Sequence, residues 1–328
     1  MGFFKTLFTG KEDTPEKEIQ NKEKRNFDVL KYDGMQALKM GKVDYAIKCF
    51  EHALAIDEDA DVHCSLASAL IARDRLEDAT EQYVKLHDLL PDNAAFPVEL
   101  SDLYFQLEDY EKMEYWCNEA LKIDSTLARP HYLLAKKCKA QKDLINAIVQ
   151  ITQAIGAKSD FYEAYLLRAK ILCEMMQYAE AEKDVDFIIE HSDADEDVLF
   201  QKAVVCIGLG KQEDAQTLFG RVIEINPFIP QAYMELSKIQ LEQGHSDEAM
   251  RVIEEGIEQN PEAPELFHAR GGLRLMSGDK EGAAADMKKS LELSPEDGKQ
   301  LSGKFTNMED VMLEAYNKIN PYNFSIKI

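Results

Sequence analysis

The chain has 328 residues, of which 45% are hydrophobic and 30% charged, and its formal net charge is −23 at pH 7. This balance excludes a disordered acidic tail, and its longest apolar stretches are far too short to cross a bilayer, so we predict no integral membrane segment. With 61 acidic and 38 basic residues, most of the surface repels a phosphate polymer. We therefore expect no nucleic acid among the partners.

The cysteines bear on the compartment. Six are present, none in a CxxC pair, and their spacing fits neither a zinc site nor a compact disulfide framework. Free thiols indicate a reducing compartment, and we expect a cytoplasmic protein. The first ten residues, MGFFKTLFTG, do not read as a secretory signal, because Lys5 interrupts the apolar run and no small-residue cleavage site follows.

The first element in chain order is the segment 1–26. Most of it is the charged stretch KEDTPEKEIQNKEKR, whose few apolar residues predict a disordered segment or a frayed helix. Ahead of this stretch, apolar side chains fall on one face of a short helix: Phe3, Phe4, Leu7 and Phe8. Such a helix would suit docking on a groove, a partner or a membrane surface, and the sequence leaves these alternatives open.

From residue 27 to residue 296 the sequence repeats with a period of 34 residues, in eight units. A small residue recurs once in each unit, in the column Gly34, Ala67, Ser101, Ala135, Ala169, Ala203, Ser237 and Gly271. Twelve residues later stands a second column, formed by Ala46, Ala79, Met113, Ala147, Ala181, Ala215, Ala249 and Ala283. Apolar residues at i, i+3, i+4 and i+7 predict helices, and small residues on both helices allow a close crossing.

Turn signals separate these helices. Glycine precedes the second helix of four units, and proline follows the second helix of four, at Gly41, Gly210, Gly244, Gly278, Pro91, Pro227, Pro261 and Pro295. The pattern resembles the tetratricopeptide repeat family, most clearly in residues 230–261 and 264–295. The resemblance implies an all-α fold, a right-handed superhelical solenoid of about eight helix-turn-helix hairpins.

The last element is the segment 297–328. An apolar stripe there predicts a helix that caps the final repeat, and its members are Val311, Met312, Ala315, Tyr316 and Ile319. The remaining residues, PYNFSIKI, are expected to pack on the last repeats. No sequence motif of an enzyme, a metal site or a phosphate loop occurs, so we predict no catalytic residue, no metal and no cofactor.

The resemblance also implies a binding surface, because the first helices of such hairpins line a concave groove. The residues it assigns to the groove are Phe105, Arg129, Tyr132, Lys136, Lys139, Leu166, Lys170, Phe200, Val204, Met234 and Lys238. The middle of this groove holds a group of four cations, Arg129, Lys136, Lys139 and Lys170, which predict an acidic or carboxylate-terminated ligand. The two-carboxylate clamp of chaperone-binding members is absent from the N-terminal repeats, since Met35 stands where that clamp has asparagine.

These features favour a non-enzymatic scaffold for protein–protein interaction, which binds a peptide or a partner protein in the groove. Two alternatives stay open: a regulatory subunit of a separately encoded enzyme, and an RNA-binding helical-repeat protein. The negative charge disfavours the second of these. The sequence identifies neither the partner nor the oligomeric state.

Overall fold

A computed structural model of the chain describes residues 15–294. Within that range the chain forms 16 α-helices and no strand, which confirms the predicted all-α class. The apolar residues Phe3, Phe4, Leu7 and Phe8 and the predicted capping helix in 297–328 lie outside the described residues. In the part described, no helix is both long and apolar enough to cross a membrane.

The chain divides into two compact units, residues 1–164 and 165–328, and the dividing point falls within the ninth helix. The helices that precede it are α1 Pro15–Lys39, α2 Val43–Leu54, α3 Ala60–Ile71, α4 Leu76–Leu89, α5 Ala95–Gln106, α6 Tyr110–Ile123, α7 Ala128–Ala140 and α8 Leu144–Ala157. The others are α9 Tyr162–Glu174, α10 Tyr178–His191, α11 Glu196–Gly208, α12 Gln212–Ile225, α13 Pro230–Glu242, α14 Ser246–Gln259, α15 Pro264–Ser277 and α16 Lys280–Leu293.

Helix α1 begins at Pro15, so the charged segment continues directly into the first helix of the first hairpin. Residues 19–26 are exposed, and Phe27 is the first buried side chain among the described residues. The reason is composition, since the preceding charged residues offer no apolar face to pack. The repeat boundary at residue 27 therefore marks the start of burial and not the start of the helix.

The hairpin crossings are built from the two columns of small residues. On the first helices all eight members of the column are buried. On the second helices seven members have no exposed surface: Ala46, Ala79, Met113, Ala147, Ala181, Ala215 and Ala249. Met113, the large exception, shares a core cluster with Cys117, Leu133 and Leu134. In three places a first helix also contacts the next first helix, namely α1 with α3, α5 with α7 and α13 with α15, which places their faces side by side.

Every hairpin turn contains one residue in the left-handed region of the backbone. Four of these residues are the predicted glycines, with φ between 71° and 89°, and four carry a side chain: Asp74, Glu108, Lys142 and Met176. The next amide then closes the helix end, as Arg75 N–H donates to the carbonyl of Leu70 at 2.9 Å. The period of the repeat therefore fixes this conformation even where glycine is missing.

Candidate functional site

The predicted groove residues all lie on first helices of hairpins. In the first unit, Phe105 is on α5, and Arg129, Tyr132, Lys136 and Lys139 are on α7. In the second unit, the predicted residues are Leu166 and Lys170 on α9, Phe200 and Val204 on α11, and Met234 and Lys238 on α13. The predicted surface is thus divided between the two units.

On α7 the predicted residues form one stripe. Arg129, Tyr132, Lys136 and Lys139 are spaced by three, four and three residues, which puts them on the same side of a helix. The opposite side of α7 is buried and includes Pro130 and Leu134. Because α5 packs beside α7, the stripe lies next to the corresponding face of α5, which carries Phe105. We call Asp102, Phe105, Arg129, Tyr132 and Lys136 the α5–α7 face.

The ammonium of Lys136 rests on two aromatic rings of this face. Its Nζ lies 4.2 Å from the ring centroid of Phe105 and 5.6 Å from that of Tyr132. The side chain is half-buried, and it forms no ion pair with any residue that the structure describes. Burial lowers the pKa of Lys136, the charge of Arg129 lowers it further, and Asp102 acts in the opposite direction. The rings stabilise the cation, but no residue between 15 and 294 places a counter-charge at contact distance.

Arg129, by contrast, has a carboxylate partner. Its Nε donates to Asp102 Oδ2 at 3.0 Å and to Oδ1 at 3.1 Å, and its Nη2 also donates to Oδ1. These hydrogen bonds raise the pKa of Arg129. The guanidinium carbon lies 5.2 Å from the ring centroid of Tyr132. Arg129 therefore adds positive potential next to Lys136, but its own charge is compensated.

Three features of this surface were not predicted from the sequence: the pairing of Asp102 with Arg129, and the positions of Phe161 and Lys158. Asp102 pairs with Arg129 across neighbouring first helices, a contact 27 residues apart in sequence. Phe161 lies 5.1 Å from Tyr132 between ring centroids, and the ammonium of Lys158 lies 5.5 Å from the Phe161 ring. A search for opposite charges on equivalent faces of successive units could have found the pairing of Asp102 with Arg129. Phe161 and Lys158 come from the loop before α9, where the repeat pattern gives no signal.

The second unit presents a different surface. Phe200 packs edge-on against the buried Phe219 ring at 5.3 Å, and with Val204 it borders a core cluster. Met234 borders the next core cluster along the chain. Lys170 and Lys238 are half-buried and form no ion pair within the described range. The apolar members therefore serve the core as well as the surface, whereas both lysines could still receive an anion.

The described residues contain histidines, cysteines and acidic side chains, the types of group that bind metals. No group of three or more His, Cys, Asp or Glu there could hold a metal ion. The buried His63 and the half-buried His131 each bond a glutamine at 2.9 Å through Nδ1, Gln82 and Gln150 respectively. These pairs join the two helices of a hairpin and read as structural contacts.

Comparisons with known proteins agree with the repeat pattern. One profile of the tetratricopeptide repeat family matches residues 203–264 and 235–298, and a second profile of that family matches residues 98–127. No curated protein matches the chain by sequence.

Several solved structures have a similar fold. The APC/C hetero-tetramer Cut9-Hcn1 gives a TM-score of 0.58 at 14% identity, over 88% of this chain and 55% of that one. PilW, described as a widely conserved type IV pilus biogenesis factor, gives a TM-score of 0.55 at 17% identity, over 62% of this chain and 94% of that one. Pseudomonas aeruginosa pilF gives a TM-score of 0.51 at 17% identity, over 62% of this chain and 92% of that one. At these identities the likeness concerns the fold alone.

Proposed function

Because this chain is a tetratricopeptide repeat protein, we propose that it is a non-enzymatic scaffold for protein–protein interaction. We further propose that its α5–α7 face binds an acidic or carboxylate-terminated segment of the partner. The observation that carries this proposal is the position of Lys136, whose half-buried ammonium lies on two rings without an ion-pair partner among the described residues.

A ligand carboxylate would supply the counter-charge that Lys136 lacks. The neighbouring Arg129 strengthens the positive potential at that point, although Asp102 compensates part of it. Binding of an anion would reverse the effect of Arg129 on Lys136 and favour the charged form of the lysine. A charge-assisted contact of this kind, partly screened from water, is worth about 1–2 kcal/mol.

The aromatic rings would contribute most of the affinity. Phe105 and Tyr132 are both half-buried, so each presents part of a ring to a ligand side chain while the rest packs on the protein. Aromatic anchors in such positions dominate binding energies, whereas charges set register and association rate. The net charge of −23 repels anionic partners over the rest of the surface, which directs an acidic segment to this face.

The test uses the full chain and a short fluorescent peptide that is rich in Glu and Leu and ends in a free carboxylate. Fluorescence anisotropy measures the affinity of this peptide. The affinity of a second peptide, which has Gln in place of Glu and an amidated C-terminus, is measured in the same way for comparison. We expect the acidic peptide to bind better, and added salt to weaken its binding.

The decisive variant is Lys136→Met, which keeps the length of the stem and removes the charge. It should weaken binding of the acidic peptide by roughly fivefold to tenfold. Lys85→Met on α4, at an exposed lysine, is the matched control and should bind like the wild type. Equal affinities of wild type and Lys136→Met, or an affinity that ignores salt, would rule out this face as the acidic-ligand site.

A further inference from the structure

Helix α8, the second helix of the fourth hairpin, differs from its equivalents in composition. Its sequence is LINAIVQITQAIGA, without a single Asp, Glu, Lys or Arg, although 30% of the residues of the chain are charged. Each of the other seven second helices carries at least three such residues. Among the described second helices, α8 therefore presents the one face toward solvent that has no charge.

Part of that uncharged face is apolar and exposed. Ile145 is 72% exposed and Val149 is 48% exposed, and Thr152 and Gly156 continue the same line as exposed residues. The spacing of four, three and four residues puts these four on one side of the helix. We call them the α8 stripe.

The core does not require the apolar residues of the stripe. The opposite side of α8 supplies the packing through Ala147, Ile151 and Ala154, which have no exposed surface. Six of the eight units carry an acid at the position of Ile145: Asp44, Glu77, Glu111, Glu213, Asp247 and Glu281. At the position of Val149, three units carry Lys48, Lys183 and Arg251. The hairpin therefore tolerates charges where α8 has Ile and Val.

We propose that the α8 stripe is an interface between two copies of this chain, in which α8 packs antiparallel against α8 of the second copy. A twofold interface places the same surface on both sides. Two chains that each carry a charge of −23 repel one another across charged faces, so association is favoured where the surface is uncharged. The α8 stripe meets this condition.

The sizes of the stripe residues fit an antiparallel pairing with itself. A twofold axis at the middle of the stripe sets Ile145 of one copy opposite Gly156 of the other, and Val149 opposite Thr152. Large side chains thus meet small ones, and the alternating spacing is that of a helix–helix seam. A Cβ atom added at Gly156 would have no neighbour within 4 Å outside the backbone of its own helix, so the small end of the stripe is open to an incoming residue.

The expected association is weak. A helix of 14 residues is about 21 Å long, and one helix pair of this length buries less surface than a permanent dimer interface. The monomer and the dimer should therefore be in equilibrium, and the fraction of dimer should rise with protein concentration. Added salt should strengthen the dimer, because it screens the repulsion between the two acidic chains. The salt dependence of the dimer is therefore opposite to that of acidic-peptide binding at the α5–α7 face, which added salt should weaken.

Sedimentation equilibrium of the full chain tests the proposal. The wild type should show an average mass that rises with concentration and rises further with salt. The double variant Ile145→Glu, Val149→Lys installs residue types that other hairpins carry at these positions, so its circular dichroism and melting should match the wild type. It should remain monomeric. Ile225→Glu, at another exposed isoleucine on α12, is the control and should dimerise normally.

Disulfide cross-linking tests the orientation without relying on the double variant. An equimolar mixture of Val149→Cys and Thr152→Cys chains should oxidise to a linked dimer faster than either chain alone or the wild type with its six cysteines. The proposal is overturned if the wild type is monomeric at every concentration and salt level, if the charged double variant still dimerises, or if the mixture gives no preferential cross-link.

Discussion

Arg168 on α9 and Asp184 on α10 form a bidentate ion pair across the fifth hairpin, with Nε 2.8 Å from Oδ2 and Nη2 2.6 Å from Oδ1. The aspartate is 5% exposed. The same arrangement recurs three repeats later between Arg270 and Asp286, at 2.9 and 2.6 Å. Both pairs span 16 residues, so the repeat places opposite charges at the same point of two hairpins.

The ion pair leads to the first prediction, which concerns stability. Asp184→Ala removes the carboxylate and leaves the Arg168 guanidinium partly buried without its partner, which should reduce the free energy of unfolding by about 3 kcal/mol. Equivalent positions in the seventh hairpin hold Leu236 and Val252. The double variant Arg168→Leu, Asp184→Val copies that apolar pair and should lose less than about 1 kcal/mol.

Urea unfolding followed by circular dichroism compares the two variants. If the double variant is as unstable as Asp184→Ala, the hairpin depends on the ion pair itself and not on the avoidance of an unpaired buried charge. That result would contradict the prediction.

The second prediction concerns the hairpin turns. Met176 has a φ of 59° and its side chain is 78% exposed, so it carries the strain of the left-handed region without compensating burial. Met176→Gly should raise the stability of the second unit by about 0.5–1 kcal/mol, because relief of the strain exceeds the added flexibility of the unfolded chain. Gly210→Met, in the next turn, should lower it by a similar amount. A thermal shift of the same sign for both variants would argue against this account.

The hairpin turns show which parts of the fold could be predicted from the sequence and which could not. The period and the columns of small residues were sufficient to predict all-α hairpins, because each unit repeats the same packing problem. Four glycines indicated four of the turns. The remaining turn residues, Asp74, Glu108, Lys142 and Met176, gave no such signal, because the hairpin geometry imposes their conformation against their own preference.

The binding surface could be predicted only within one helix. Helical spacing was sufficient to place Arg129, Tyr132 and Lys136 on one stripe of α7. The ion pair of Arg129 with Asp102 and the position of Lys136 over Phe105 depend on how α7 packs on α5, which spacing along the chain does not give. The dividing point within α9 separates Lys136 from Lys170, so the predicted grouping of four cations stays a prediction.

The third prediction concerns the close crossing of the fifth hairpin. Ala181 and Ala169 are both completely buried, on α10 and α9 respectively. Ala181→Phe has no space to fill and should lower the free energy of unfolding by about 1–3 kcal/mol or more. Each repeat is stabilised by contacts with the repeats next to it, so a destabilised repeat in the middle weakens the cooperativity of the array. The urea transition should therefore also broaden. Ala179→Phe, at an exposed position of the same helix, is the control. If the urea transition of Ala181→Phe has the midpoint and the steepness of the wild type, the assigned crossing is contradicted.

The fourth prediction is a pH dependence of acidic-peptide binding at the α5–α7 face. The pKa of Lys136 lies below the ordinary lysine value of 10.5, because of burial first and of the Arg129 charge second. As the pH rises through this lowered pKa, the free protein loses the cation that a ligand carboxylate needs. The affinity should therefore fall at a lower pH than for an ordinary exposed lysine.

The same shift fixes the sign of the effect on stability. Since the pKa of Lys136 is lower in the folded chain than in the unfolded one, the unfolded chain binds more protons between the two values. Stability without ligand should therefore rise with pH in that window, while affinity for the acidic peptide falls. In Lys136→Met the contribution of this group to both trends should disappear, and Lys85→Met should keep both. Anisotropy titrations and urea unfolding across alkaline pH measure the two quantities on the same samples. A fall in affinity that is identical in wild type and Lys136→Met would assign the titration to another group and remove Lys136 from the site.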